Sequence, residues 1–325
     1  MLVYVIRRLS QSLVVVAVMA ALVFVGVYAI GNPVDMMISP DATQAEMQAA
    51  IERLGLDKPL WEQFFVFVGN MLQGDMGTSF VHNEPALELI LQRLPATMEL
   101  AVSAMLIATL VGIPLGVVAG LRAEGPTGKT IMAGSILGFS LPNFWQGLML
   151  IMLFAVILGW LPAGGRGETA ELFGIEWSFL TFDGLTHLLL PAINVALYKT
   201  ALVIRLARAG TREVMMMDYV KFARAKGLRP RRVVMVHMLK NILIPVVTVL
   251  GLELGNVIAF AVVTETVFAW PGMGKLLIDS IVNLDRPVVV AYLMLTVLVF
   301  ILINFLVDLA YSALDPRVRL TESKG

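Results

Sequence analysis

Residues 125–130 read GPTGKT and end in Gly128-Lys129-Thr130, the close of a phosphate-binding loop. Such a loop cradles phosphates with backbone N–H groups while its lysine reaches the outer phosphates, and this needs the full spacing GxxxxGK[ST]. The first glycine of that spacing is Ala123 here. The segment also lies in a ten-residue turn between two apolar runs, without the strand–loop–helix unit that positions a nucleotide. Its residues suit a Gly/Pro turn carrying cytoplasmic positive charge. The histidines, His82, His187 and His237, are far apart in sequence, no HExxH spacing occurs and there is no cysteine, so no metal site is assigned. No Ser/His, paired-Asp or metal constellation sits at one depth, and no catalytic residue is assigned. Two charges do stand out. Lys199 and Glu253 lie inside apolar runs, where a charge is costly and needs a partner or a watery cavity.

Those runs define the architecture. The chain of 325 residues is 58% hydrophobic and 15% charged, with mean hydropathy +0.83, far from the composition of a soluble domain. Several runs are long enough to cross about 30 Å of hydrocarbon as helices. The expected fold is an all-α polytopic membrane protein, a single transmembrane domain over 1–325. Its six spans are 8–30, 94–121, 130–161, 185–206, 242–268 and 287–314. The third is longer than a crossing needs. Net charge is zero, which gives no bulk electrostatic attraction for nucleic acid.

Arg7 and Arg8 precede the first run, but that run is too long for a signal-peptide core and lacks a small-residue cleavage site, so a retained anchor is expected. With the N-terminus in the cytoplasm, seventeen of the 24 Lys and Arg residues fall inside, six fall outside, and Lys199 lies within a span. The positive-inside rule therefore puts both termini in the cytoplasm. Segment 31–93 becomes a long extracytoplasmic piece with helical patterning at Thr43–Leu54 and 59–72. Segment 207–241 becomes the largest cytoplasmic piece, and it is strongly basic.

Within that basic segment, residues 218–230 read DYVKFARAKGLRP. Asp218 is expected to cap a short helix, Gly227 to end it and Pro230 to forbid its continuation. Ala223 and Ala225 are small enough for another surface to come close. A protein partner and anionic lipid headgroups both fit such a basic surface element.

The segment resembles the EAA loop of bacterial ABC importer permeases, the cytoplasmic helix that seats in a groove of the ATPase subunit. The family's glycine matches Gly227, and its E-A-A positions fall on Lys221, Phe222 and Ala223, a departure at the first two. The run Ala223-Arg224-Ala225-Lys226-Gly227-Leu228 with Leu243-Ile244-Pro245 downstream is similar to the peptide/nickel branch, where such departures are usual. LGLDKPL at 54–60 with GDMGTS at 74–79, ETVFAWPGMG at 265–274 and LDPRVR at 314–319 resemble further signatures of that branch. The long first outer segment is similar to the B-type permease of dipeptide and oligopeptide importers.

The resemblance implies a type I ABC importer permease fold in a bacterial inner membrane. It implies a second homologous permease, two ATP-binding subunits that hold ATP and Mg, and an extracytoplasmic solute-binding protein. Transport would proceed by alternating access, with no cofactor in this chain and membrane lipid around it. The coupling residues would be Asp218, Lys221, Phe222, Ala223, Arg224, Ala225, Lys226, Gly227 and Leu228. An ATP-independent secondary transporter is the alternative, although the six spans show no inverted repeat. Dipeptides, oligopeptides, glutathione, nickel chelates and opine-like solutes are all compatible with the resemblance.

Three further expectations concern polar and small residues. Lys199 and Glu253 lie at similar depth, roughly 10–14 Å from the cytoplasmic side at 1.5 Å per residue, and can pair; snorkelling of Lys199 to headgroups is the other reading. Asn256 either lines the pathway or joins helices, and Asp308 near Tyr311 is a local hydrogen-bonding group. Glu265, Trp270, Pro271 and Gly272 form an outer turn, a candidate gate or binding-protein contact, with Trp270 as an interfacial anchor. Gly112, Gly116 and Gly120 share one helix face suited to close packing.

Overall fold

The structure is a computed structural model that describes residues 2–29, 48, 51, 52 and 57–314. Most of the expected helix at Thr43–Leu54, most of the LGLD stretch, the LDPRVR tail beyond Leu314 and the side chains of Asp308 and Tyr311 lie outside the described residues. The helices are α1 (Leu2–Ala29), α2 (Leu60–Leu72), α3 (Ala86–Leu121), α4 (Pro126–Ser140), α5 (Asn143–Leu150), α6 (Phe182–Met215), α7 (Asp218–Ala225), α8 (Leu239–Phe260), α9 (Val262–Val267), α10 (Met273–Val282) and α11 (Arg286–Leu314).

Among the described residues, three helices are long and apolar enough to cross a membrane singly: α3, α6 and α11 over Arg286–Val307. The predicted third span, 130–161, is not one helix. It is α4 followed by Asn143–Ile157, bent by 104°, because Pro142 cannot continue a helix and holds the extended φ/ψ of −59° and 136°. The fifth is also bent, by 45°, between Pro230–Leu243 and Pro245–Phe260. It ends as α8 at Phe260 and resumes as α9. The fourth is longer than predicted, because α6 runs on past 206 through Arg208 and Arg212 to Met215. α1 carries a shorter apolar stretch, Ser10–Gly26.

Among the described residues a short hairpin stands apart from the helices. Strands β1 (Ala170–Leu172) and β2 (Ile175–Trp177) pair antiparallel with Leu172 opposite Ile175. Phe173 and Gly174 turn the chain with φ of 57° and 77°, the doubly positive turn that fits the twist of a two-residue hairpin loop.

The chain forms two compact units, Met1–Leu94 with Leu276–Ile301, and Pro95–Lys275 with Leu302–Gly325. In the first unit, Ala20, Val23, Val290 and Met294 make a small core with Phe67 and Met71 packed on it, and Phe24 meets Phe64 edge-on at 5.4 Å. Lys58 pairs with Glu62 at 3.0 Å as α2 begins, and that hydrogen bond and charge raise the lysine's pKa above its ordinary value. The GDMGTS stretch is a tied turn. Gly77 has φ of +83° and donates its N–H to Asp75 at 2.9 Å. Ser79 donates to the buried Asp285 at 2.5 Å, which also accepts from the Phe80 N–H at 3.1 Å.

In the second unit, α3 packs on α6 through small residues. A Cβ on Gly112, Gly116 or Gly120 would fall 2.7, 2.6 and 2.5 Å from the Cβ atoms of Val203, Ala207 and Thr211. Both rows advance by four residues, so the two backbones run in close register without side chains between them. GPTGKT proves to be the start of α4. Gly125 is the extended N-cap residue and Pro126 the first helical residue. Gly128 is buried because its Cα rests on the carbonyls of Ala119 and Arg122, which leaves the glycine a packing role.

Gly116→Ala should destabilise the folded protein by about 1–3 kcal/mol, the usual cost of overpacking. Gly134, which has no neighbour within 4 Å of an added Cβ, should tolerate alanine or gain up to about 1 kcal/mol from helix propensity. Thermal unfolding in detergent compares the two.

Candidate functional site

The basic segment folds into the short helix its residues suggest, with two departures. α7 begins at Asp218 itself, and the N-cap is Met217, which makes no side-chain capping bond. Asp218 therefore does not cap the helix. It sits in the first turn, where a carboxylate still favours the positive end of the helix, and it accepts from Lys221 Nζ at 3.1 Å. The exit follows the expected chemistry. Gly227 has φ of +73°, its N–H donates to Arg224 O at 2.9 Å, and the Leu228 N–H donates to Ala223 O at 3.3 Å. These two bonds are a Schellman closure, which calls for glycine at that position.

α7 has two faces. Val220 and Ala223 are buried in a core shared with Val203 and Ala207 of α6 and Ile242 and Val246 of α8. Ala223 thus packs inward, against the expectation that another surface approaches it; Ala225 is the exposed alanine. Lys221, Phe222, Arg224, Lys226 and Gly227 face outward, and Leu228 is half-buried. Phe222 is 60% exposed and has exposed Met216 and Met217 nearby in the chain, while Lys226 Nζ lies 4.5 Å from its ring centre. An aromatic knob among basic side chains on a short, firmly seated helix is a surface that a partner can grip.

Inside the unit, Lys199 and Glu253 form an ion pair. Lys199 sits midway along α6 and Glu253 on α8. Beside Lys199 is a cavity of about 380 Å³ lined by α6, α8 and the break between α4 and α5, with Asn143, Gln146, Tyr198, Asn256 and Thr264 among its walls. Gln146 holds the break. Its Nε2 donates to Gly138 O at 3.0 Å and Leu141 O at 2.7 Å, satisfying carbonyls that the end of α4 leaves open. Behind the cavity, Asn194 Nδ2 donates to Asn143 Oδ1 at 2.7 Å and Thr264 Oγ1 at 3.0 Å, and Asn143 Nδ2 reaches the same threonine at 3.1 Å.

The turn at Glu265–Gly272 is a closed knot. Glu265 and Trp270 are fully buried. Glu265 accepts from Thr97 Oγ1 at 2.7 Å and the Lys275 N–H at 2.8 Å. Trp270 Nε1 donates to Ala96 O at 2.9 Å, so this indole is a core group instead of an interfacial anchor. Pro271 is half-buried, and Gly272 is buried because any Cβ there would run into the Glu265 carboxylate. Direct contact by Glu265 or Trp270 with another protein would require this turn to open.

Sequence reasoning passed over Glu99 and Arg166. Glu99 lies near the start of the second predicted span, and a carboxylate there was itself a signal. It pairs with Arg166 at 3.0 Å with its side chain fully buried and accepts from the Phe179 N–H at 2.7 Å. Arg166 also donates to Glu176 O at 2.7 Å, which ties the β1–β2 hairpin to α3. Asn143, Gln146, Asn194 and Thr264 were passed over too, since isolated amides and hydroxyls in apolar runs carry little contrast.

Comparison with known proteins adds the family. Residues 112–320 match the model of the binding-protein-dependent transport system inner membrane component, and residues 1–101 match the N-terminal model of the membrane component of such systems. The di/tripeptide transport system permease protein DppB of Pseudomonas aeruginosa (strain UCBPP-PA14) is 44% identical over 89% of this chain and 90% of its own. The oligopeptide transport system permease protein AppB of Bacillus subtilis (strain 168) is 38% identical over 97% of this chain and 98% of its own. Among solved structures, an inward-facing conformation of the MetNI methionine ABC transporter matches with a TM-score of 0.54 at 16% identity, covering 71% of this chain and 99% of that one. This last likeness speaks to fold alone.

If Lys199 and Glu253 stabilise each other, Lys199→Ala and Glu253→Ala should each lower the unfolding temperature in detergent. The double variant should lose less than the sum, with a coupling on the order of 0.5–3 kcal/mol. Strict additivity would show that the two charges act separately.

Proposed function

The chain belongs to the binding-protein-dependent transport system inner membrane components, a permease subunit of an ABC importer and not an enzyme, and from that premise we propose how it works. The importer takes up short peptides delivered by an extracytoplasmic solute-binding protein. This chain forms half of the pathway beside a second, homologous permease, and two ATP-binding subunits sit on the cytoplasmic face. The peptide assignment rests on the relatives that carry it in their names. The ATP-independent secondary transporter has no support in these relatives.

The orientation proposed has both termini in the cytoplasm, as the distribution of Lys and Arg favours. It places segment 207–241 on the cytoplasmic side and the hairpin and the outer turn at Glu265–Gly272 on the other.

The single observation that carries the mechanism is the seating of α7. Its inner face is buried among α6 and α8, and its outer face presents Phe222 amid Lys221, Arg224 and Lys226. An ATPase gripping the outer face would move α6 and α8 with it, because Val220 and Ala223 cannot shift without their neighbours in a close-packed core. The Schellman closure at Gly227 keeps the helix short and its exit rigid. ATP-driven approach and separation of the two ATPases would thus reach the spans as alternating access.

Purification of the complex in mild detergent tests this. The wild type should retain an ATP-binding subunit and a second permease. Phe222→Asp should weaken retention of the ATPase roughly tenfold or more, the scale of losing a central aromatic anchor, while the second permease remains. Gly227→Val, which forces a β-branched residue into a left-handed conformation at about 1–2 kcal/mol, should impair coupling, and Gly227→Asn should be milder. Undiminished ATPase retention and stimulation in Phe222→Asp would reject α7 as the coupling element.

A further inference from the structure

The Lys199–Glu253 pair is a poor device for stability alone. Two charges taken from water gain little over apolar residues of the same size, and a buried pair is weak evidence of a stabilising role. Here Lys199 lines a cavity whose volume of about 380 Å³ falls in the ~300–1,000 Å³ range of small-ligand sites, and its partner Glu253 stands one helical turn before the lining residue Asn256 on α8. The cavity lies where a membrane helix is interrupted, and irregular backbone is tolerated in a span where it is buried in protein or lines a cavity. The walls combine neutral amides, Asn143, Gln146 and Asn256, with the aromatic rings of Tyr198 and Phe260. Two buried amide oxygens, Gln146 Oε1 in the wall and Asn194 Oδ1 behind it, have no protein partner among the described residues, so hydrogen-bonding capacity remains unused at this place.

We propose that this cavity is a transit subsite for a zwitterionic short peptide, in which Lys199 takes the C-terminal carboxylate and Glu253 takes the ammonium end. The inference rests on the peptide-importer reading and names the site within it. When the cavity is empty, Lys199 and Glu253 hold each other, and neither charge is left unpaired in a poorly hydrated place. A zwitterion exchanges one ion pair for two and leaves no net charge behind, whereas a simple anion or cation leaves Glu253 or Lys199 without a partner. The amides meet the peptide group, which has one donor and one acceptor, and they need no particular side chain. The rings of Phe139 and Tyr198, stacked with centroids 4.7 Å apart, give an apolar wall tolerant of many side chains. The arrangement recognises what short peptides share and ignores how they differ.

The test uses the assembled importer in nanodiscs without its binding protein, and a dipeptide carrying a photo-reactive diazirine side chain. Adducts should map to 139–146, 195–199 and 256–264. Unlabelled dipeptide free acid should compete roughly tenfold better than its C-terminal amide or its N-acetyl form, the scale of one lost hydrogen bond to a charged group. In Lys199→Gln/Glu253→Gln, which removes both charges and leaves none unpaired, the free acid and the amide should compete equally. Lys199→Arg should keep the preference. If the double variant does not assemble, Asn256→Asp takes its place and should weaken the free acid more than the amide. Adducts elsewhere, or an acid-to-amide ratio unchanged in the variants, would overturn the subsite. Uptake into proteoliposomes of the same complex, with the binding protein present, separates the two levels. Wild-type complex that takes up peptide but shows no such adducts refutes the subsite alone, and complex that takes up no peptide refutes the importer reading beneath it.

Discussion

A helix interrupted inside hydrocarbon strands carbonyls and N–H groups where no water can reach them, and each stranded group costs several kcal/mol. At three breaks among the described residues, hydrogen bonds finish what the interrupted helix leaves open. At Pro142 the amide of Gln146 closes on Gly138 O and Leu141 O. At the end of α7 the Schellman bonds do the same with backbone alone. At the turn after α9, the buried carboxylate of Glu265 collects donors from Thr97 and Lys275. The spans themselves are generic; the character of the protein lies in how these interruptions are repaired.

The repairs also explain why particular small residues stand where they do. Gly272 leaves room for the Glu265 carboxylate, and Gly128 lets the first turn of α4 rest on the preceding carbonyls. Along α3, the row of glycines brings the backbone against α6 closely enough that packing, rather than side-chain bulk, fixes their alignment. Helices in lipid gain nothing from hiding apolar surface against each other, so close backbone contact and internal polar bonds must hold them together. The Asn143–Asn194–Thr264 cluster supplies such bonds between α5, α6 and α9.

Much of this was legible from residue types. Apolar length marked the crossing segments, and the third run was visibly too long for one crossing, although the break at Pro142 within it was passed over. Lys199 and Glu253 could be singled out because a charge in hydrocarbon contrasts with everything around it. Gly227 and Pro230 marked the end of α7 by local backbone chemistry. What escaped was set by distant parts of the chain. Asn143 meets residues 51 and 121 positions away, and an amide in an apolar run carries no sign of which helix will face it. Trp270 read as an interfacial group by its depth, yet its indole is consumed by Ala96 O, 174 residues earlier. The inward turn of Ala223 was likewise undetermined, since an eight-residue helix with small residues on two sides does not declare which side is covered.

The same two helices connect the features that matter for transport. Val203 and Ala207, which hold the inner face of α7, lie one and two turns beyond Lys199 on α6. Ile242 and Val246, which complete that core, precede Glu253 on α8. A shift of α7 that changes the packing of α6 on α8 must therefore change the geometry of the ion pair, because helices of this length move as stiff units. The converse follows by linkage. Any solute that binds the separated charges better than the joined ones favours the helix arrangement in which they are apart, and by the same free energy it favours the corresponding position of α7. On the proposed reading, cargo and motor need no further device between them than two helices that share one core at one end and one ion pair farther along.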